Sequence, residues 1–156
     1  MKITMPFIIL IFLFSCTVKK KEEAIDMSGE KAKLIQADKA FSDLSEKEGM
    51  KNAFLEYIDS NGVLLKGDHM PIIGANAIDY LIQVSDTAFT LNWQPQHAFV
   101  SKSADLGYTY GIYALHSNTR DTVLYGTYVS IWKKQADGKW KFVLDSGNEG
   151  IGDEAQ

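Results

Sequence analysis

The order of hydrophobic periods in this chain predicts an α+β fold, helices first and an antiparallel sheet afterwards. Three observations carry the prediction. Apolar side chains recur at helical spacing from about residue 28 to residue 84; from Thr90 to Leu144 they alternate with a period close to two; and turn residues cut that second stretch into four runs.

Residues 17–28 are polar and aperiodic and read as a linker. Ser28 is placed as a helix cap, followed by Leu34, Ile35, Phe41 and Leu44 on one stripe, with Gly49 ending the helix. A shorter helix runs from Asn52 to Ile58, burying Ala53, Phe54, Tyr57 and Ile58. Asp59-Ser60-Asn61-Gly62 is a turn signal, residues 63–65 a short strand and residues 67–71 a loop. Gly74 opens a third helix over 75–84, with Ile78, Leu81 and Ile82 as its apolar set. The four sheet runs are 91–102, 107–117, 122–134 and 139–145. They are separated at Ser103-Ala104-Asp105, Asn118-Thr119-Arg120-Asp121 and Ala136-Asp137-Gly138, the last a hairpin turn. Pro95 is expected to bend or bulge the first of them.

Ahead of the linker, Met1-Lys2 is a short basic start and residues 3–14 are apolar apart from Thr4 and Pro6. Roughly a dozen apolar residues are too few to span a bilayer, which needs about 20; they suit the apolar centre of a secretory leader. Leu13-Phe14-Ser15-Cys16 closes the run and resembles a bacterial lipobox, with Phe14 bulkier than is usual at its position. Cys16 is the only cysteine, so no internal disulfide is available, and an exposed free thiol suits an exported domain poorly unless modified. An ordinary leader with an incidental thiol is the alternative. The expected organisation is a signal peptide over 1–15, a lipidated Cys16 with linker over 16–28, one domain over 29–150 and a tail over 151–156. The resemblance implies a diacylglyceryl group plus an amide-linked acyl chain, and several chains anchor stably where one does not. The membrane, through Cys16, is thus an expected partner. Lys19-Lys20-Lys21 followed by Glu22-Glu23 reads as a solvated tether and also resembles the surface-export tags of Bacteroidetes lipoproteins. An outer membrane or the cell surface is expected over the inner membrane.

The roughly 140 residues after the leader are the size of one domain with one core. A hydrophobic share of 46% and an aromatic share of 12% are ordinary for a globular protein. The net charge of −4, or −5 once Lys2 leaves, argues against nucleic acid as a partner, because phosphate binding needs clustered Lys and Arg.

Several segments, taken in order, resemble one superfamily. They are Ala37-Asp38-Lys39-Ala40-Phe41, Ala53-Phe54, Pro71-Ile72-Ile73-Gly74, Trp93-Gln94-Pro95, Gly107-Tyr108-Thr109-Tyr110-Gly111, and Trp140 leading to Asp145-Ser146-Gly147-Asn148. Together they are similar to the nuclear-transport-factor-2-like superfamily, in its SnoaL-like branch, over about residues 30–150. The resemblance implies a cone, in which a strongly curved sheet wraps around helices and leaves a pocket at the wide end. It also implies homodimerisation through the sheet in many members. It fixes no chemistry, since one fold hosts many functions.

Asp38 is the candidate catalytic residue, because it falls within the apolar stripe of its helix. Burial there raises a carboxyl pKa unless donors compensate. Asp38 is either a general base or neutral acid, or a structural tie from helix to strand, indole or phenol. The other pocket candidates are Tyr57, His69, Trp93, Tyr108, Tyr110, Tyr128 and Asp145: phenols and indoles suit an apolar ligand with one or two oxygens. Alternation alone leaves open which sheet face is concave. Gly107 and Gly111 mark either strong curvature or close helix approach. His69, His97 and His116 lack metal-ligand spacing, and no nucleophile elbow or phosphate loop is present, so no metal or cofactor is expected. Three readings follow: a binding module for a small apolar or partly polar ligand, which the absence of a catalytic constellation favours; an isomerase- or dehydratase-like enzyme using Asp38; and a dimeric scaffold with a fully packed interior.

Overall fold

Helix α1, Met27–Glu48, opens on an Asp26 cap whose Oδ1 accepts from the Gly29 N–H at 3.0 Å. A carboxylate at this place satisfies an orphan donor and meets the positive end of the helix dipole. Ser28, read from sequence as the cap, lies inside the first turn instead. These come from a computed structural model that describes residues 26–151; the readings made for the leader, Cys16, the lysine run and the last residues of the tail lie outside it. Among the described residues no helix is long and apolar enough to cross a membrane. Gly49 ends α1 at φ +92°, a left-handed angle that favours glycine.

The remaining elements are α2 Met50–Tyr57, β1 Ile58–Leu65, β2 Ile72–Ile73, α3 Ala75–Gln83, β3 Phe89–Val100, β4 Leu106–Ser117, β5 Val123–Lys134 and β6 Trp140–Glu149. They form one six-stranded curved sheet in the order β2-β1-β6-β5-β4-β3, with the helices packed against it. The α+β class and the meander from β3 to β6 are as the sequence predicts. One pairing differs from an all-antiparallel sheet: β1 runs parallel to β6, with Ile58 opposite Phe142 and Val63 opposite Leu144. The Asp59–Gly62 turn signal is therefore not a connection between elements but an irregularity inside β1, where Asp59 Oδ1 accepts from the Asn61 N–H at 2.9 Å.

Two bulges decide what the concave face carries. In β3 the register shifts between Pro95 and His97, so Leu91 and Trp93 face inward before it and Ala98 and Val100 after it. In β6 the register shifts between Phe142 and Leu144, so Trp140 and Phe142 fill the core while Asp145 and Gly147 line a cavity. An extra residue re-aims every side chain that follows it.

The core centres on Phe41, whose ring lies 4.5–6.0 Å from those of Phe54, Tyr57, Trp93, Trp132 and Phe142. Leu34, Asp38, Phe41 and Ser45 follow one another at helical spacing and are all buried. The serines on this face stitch α1 to the backbone of β3, an edge strand. Ser42 Oγ donates to the Trp93 carbonyl at 2.8 Å and accepts from the Trp93 N–H at 2.7 Å, and Ser45 Oγ donates to the Leu91 carbonyl at 2.7 Å. An exposed edge would otherwise present unpaired backbone groups to other chains.

Candidate functional site

The core fills one part of the concave face and leaves the other part open. The open part is a cavity of about 420 Å³, walled by the ends of β1, β3 and β6, the middle of β4 and β5, and the inner sides of α2 and α3. Its size lies within the usual range for small-molecule sites. Most of its wall is apolar or aromatic: Phe54, Leu81, Phe89, Trp93, Tyr113 and Tyr128 are representative. Lys66, Asp68 and Glu149 bring charge to its exposed rim, and Asp145 brings a carboxyl to its interior. An interior fully packed with side chains is thus not what this sequence builds.

Two glycines on the concave face make room for the aromatic wall. A Cβ at Gly111 would sit 2.9 Å from the Tyr128 ring and would also clash with the Gln94 carbonyl. A Cβ at Gly126 would strike the Tyr113 ring and hydroxyl. A third, Gly107, is where Leu34 of α1 approaches the sheet.

Asp38 stands behind this wall. Its Oδ1 accepts from Trp93 Nε1 at 2.8 Å and its Oδ2 from the Tyr128 hydroxyl at 2.7 Å, and it is fully buried. Thr109 adds a further stabilising contact, while its own oxygen accepts from Trp132 Nε1 at 2.8 Å. Burial pushes the Asp38 carboxyl above its usual range, and the Tyr128, Trp93 and Thr109 donors pull it back in part. Burial and the nearby Asp38 carboxyl also raise the Tyr128 phenol, which stays protonated as a donor. With both oxygens engaged and no face on the cavity, Asp38 orients the Trp93 and Tyr128 rings. It is not placed to meet a ligand.

Asp145 is placed to meet one. Ser130 Oγ donates to its Oδ2 at 2.6 Å, and the carboxyl lines the cavity. Burial, with a smaller push from the Asp38 charge, raises it to about 6, against lowering by the Ser130 bond and the Lys66 charge. Protein surrounds this group closely, yet it is open to the cavity, which is how desolvation and access coexist.

The other candidates separate cleanly. Trp93, Tyr128 and Asp145 are brought together on the cavity wall. Tyr57 stacks on Phe41 at 4.9 Å within the core, outside the lining. His69 is an exposed loop residue that packs on the edge of Tyr80 at 5.8 Å, and it is Tyr80 that lines the cavity. Tyr108 and Tyr110, placed in the pocket from sequence, lie on the opposite, convex face and are 40% and 43% exposed. Strand alternation turns Gly107, Thr109 and Gly111 inward and therefore these two rings outward. Tyr113, Lys66 and Glu149 went unrecognised. Tyr113 shares its parity with Gly107, Thr109 and Gly111, and that shared parity was the available signal. Among the described residues no group of three His, Cys, Asp or Glu side chains is arranged to hold a metal.

This arrangement, a bent sheet closing on helices around one open cavity, is the nuclear-transport-factor-2-like cone. Solved structures bear out the fold. A ketosteroid isomerase-like protein from Erwinia carotovora atroseptica superposes with a TM-score of 0.61 at 17% identity, over 77% of this chain and 95% of that one. An NTF2-like protein with a cystatin-like fold from Novosphingobium aromaticivorans gives 0.61 at 14% identity, over 80% and 84%. An NTF2-like superfamily protein from Salmonella enterica serovar Typhimurium gives 0.59 at 8% identity, over 81% and 97%. No protein-family model matches the chain, and no curated protein sequence does.

Proposed function

We propose that this chain is an exported lipoprotein, held at an outer membrane or the cell surface through Cys16, whose cone domain binds a small and largely apolar ligand. The observation that carries the binding reading is the cavity of about 420 Å³, aromatic-walled, with one interior carboxyl at Asp145. An apolar cavity of ~150 Å³ accepts one benzene ring, so this one has room for a two-ring body and a short polar tail. Native mass spectrometry of the full chain, purified from its own host in mild detergent, is expected to show a stoichiometric small-molecule adduct. A clean protein mass under the same conditions would turn the reading towards a scaffold. The anchoring reading rests on the apolar leader and the lone Cys16. The mature protein should begin at Cys16 with added acyl mass, and Cys16→Ser should release it from membranes. A mature chain that starts elsewhere would overturn it.

A second copy of the chain is the proposed partner. Phe99, Leu106, Tyr108 and Tyr110 are 40–55% exposed at one end of the convex face, with the Phe99 and Tyr108 rings stacked at 5.5 Å. Contiguous exposed apolar surface of this kind marks interaction sites. Analytical ultracentrifugation should give a dimer that Phe99→Glu converts to monomer; a monomeric parent protein would refute the pairing.

A second reading, proton transfer to or from the bound molecule, is favoured by one observation. Asp145 faces the cavity with a pKa raised to about 6, the region in which a carboxyl works as acid or base near neutral pH. On that reading Asp145→Asn abolishes turnover of the bound compound while the adduct remains. Turnover that survives the substitution would eliminate it.

A further inference from the structure

We infer that the ligand of this cavity carries a protonated primary or secondary amine on its apolar body, with the ammonium seated on Asp145. The inference rests on the binding reading above and adds the ligand's chemical class to it.

The donors and acceptors of the cavity point in one direction. Ser130 occupies Asp145 Oδ2, and no described residue donates to Oδ1, which leaves one carboxyl oxygen for a ligand donor. The Tyr128 hydroxyl spends its proton on Asp38 behind the wall, so its oxygen offers only a lone pair to the cavity. Trp93, whose ring also forms the wall, spends its only polar hydrogen the same way. Around Asp145, Tyr128 and Trp93 the wall therefore presents acceptors to a ligand, while the Tyr80 and Tyr113 phenols can donate or accept, and a ligand that donates satisfies all of them. An N–H-bearing cation donates without offering a competing acceptor.

Charge points the same way. The interior charge is a carboxyl, the nearest charge behind it is the second carboxyl of Asp38, and at the rim Asp68 and Glu149 outnumber Lys66. An anionic tail would meet like charge at every depth except beside Lys66, whose ammonium is itself drawn over the Tyr80 ring at 5.9 Å. The rings of Trp93, Tyr113 and Tyr128 line the same cavity, and an aromatic ring that presents its face attracts a desolvated cation.

The inference also fixes a pH dependence. The titratable groups on the same wall are Lys66 and Asp68 after β1, Tyr80 from α3, Tyr113 from β4, Tyr128 from β5 and Glu149 from β6, with Asp38 from α1 behind it; α2 and β3 contribute none to the lining. With Asp145 titrating at about 6 in the empty cavity, its ionised share rises from about a tenth at pH 5 to about nine-tenths at pH 7. An ammonium selects the ionised form, so its affinity should rise about tenfold over that interval.

Three probes of one shape test this: tryptamine, tryptophol and indole-3-acetate, with cationic, neutral and anionic tails on the same two-ring body. Calorimetric titration into the full chain in a non-ionic detergent at pH 7.5 is expected to show tryptamine binding at least tenfold tighter than tryptophol, with the acid weakest. Asp145→Asn should remove the amine's advantage, bringing tryptamine to within about threefold of tryptophol in the same variant. The pH series on the unaltered protein gives an independent reading should that variant fail to fold. Tryptophol binding as tightly as tryptamine, a tightest-binding acid, or amine affinity that is flat from pH 5 to 7 overturns the inference and leaves the cavity a binding site. No binding by any of the three at millimolar concentration overturns the binding reading and this inference with it.

Discussion

Replacing Asp38 by Asn separates a structural carboxylate from a functional one. The Asp38 carboxyl accepts from Trp93 Nε1 at 2.8 Å and from the Tyr128 hydroxyl at 2.7 Å, with no exposure to solvent. Asn keeps one acceptor oxygen and points an N–H group at the other donor. Hydrogen bonds to charged groups contribute ~1.5–3 kcal/mol each, and a buried donor left unsatisfied costs ~1–3 kcal/mol. Against that, the substitution relieves the burial of a carboxyl whose pKa burial raises. The net loss comes to about 2–4 kcal/mol. For a domain of this size, at roughly 4 °C per kcal/mol, the melting temperature should fall by roughly 8–16 °C. Scanning calorimetry measures the fall, and near-ultraviolet circular dichroism reports whether the Trp93 and Tyr128 rings lose their fixed setting. A double-mutant cycle with Tyr128→Phe should show a coupling of about 1 kcal/mol or more, since the two groups share a bond. A melting temperature lowered by less than ~3 °C, with ligand binding abolished, would refute the argument and place Asp38 in the site itself.

Asp145→Asn should do the opposite. Its folded pKa of about 6 stands above the ordinary value of 3.8, so folding disfavours its ionised form; relative stability is full below about pH 4 and declines as pH rises through 6. The Asn variant should therefore be more stable than the parent at pH 8, by about 1–3 kcal/mol, and close to it at pH 4, as denaturant unfolding at the two pH values would show. Gly126→Ala drives a Cβ into the Tyr113 ring and the Asn148 carbonyl; ligand affinity should drop at least tenfold, measured by titration, with β4 and β5 strained apart. Ser42→Ala leaves both the N–H and the carbonyl of Trp93 without their α1 partner, and should cost about 1–3 kcal/mol by chemical denaturation.

Much of the scaffold was legible because local signals agreed with the fold. Helical spacing over residues 34–44, Gly49 as terminator, the Ala136-Asp137-Gly138 hairpin and the bend at Pro95 each report a constraint acting within a few residues. The parallel pairing of β1 with β6 was not legible, since it depends on where α2 delivers the chain relative to a strand some 80 residues later. The site was legible in part for the same reason. Trp93, Tyr128 and Asp145 stood out as chemistry-bearing side chains, but the direction each one faces is set by two bulges, and the one in β6 has no proline or glycine to announce it. Tyr108 and Tyr110 drew attention by their size, whereas the alternating glycines were the better guide: a concave face crowded by Leu34, Tyr113 and Tyr128 admits little beyond Gly or Thr at those positions. The roles of Ser42 and Ser45 in α1 were not legible, because the bonds they make hold an edge strand about 50 residues later in the chain.

That the cavity is a working binding site can be tested at a single side chain. Trp93 lines it, while Trp132 and Trp140 lie in the core outside the lining. In a ¹⁵N-labelled full chain, the three indole N–H signals can be followed by NMR as unlabelled tryptamine and tryptophol are added. Saturable movement of the Trp93 signal, with Trp132 and Trp140 holding their positions, is the predicted result. Three signals that stay fixed, or that drift together in proportion to added probe, would contradict it.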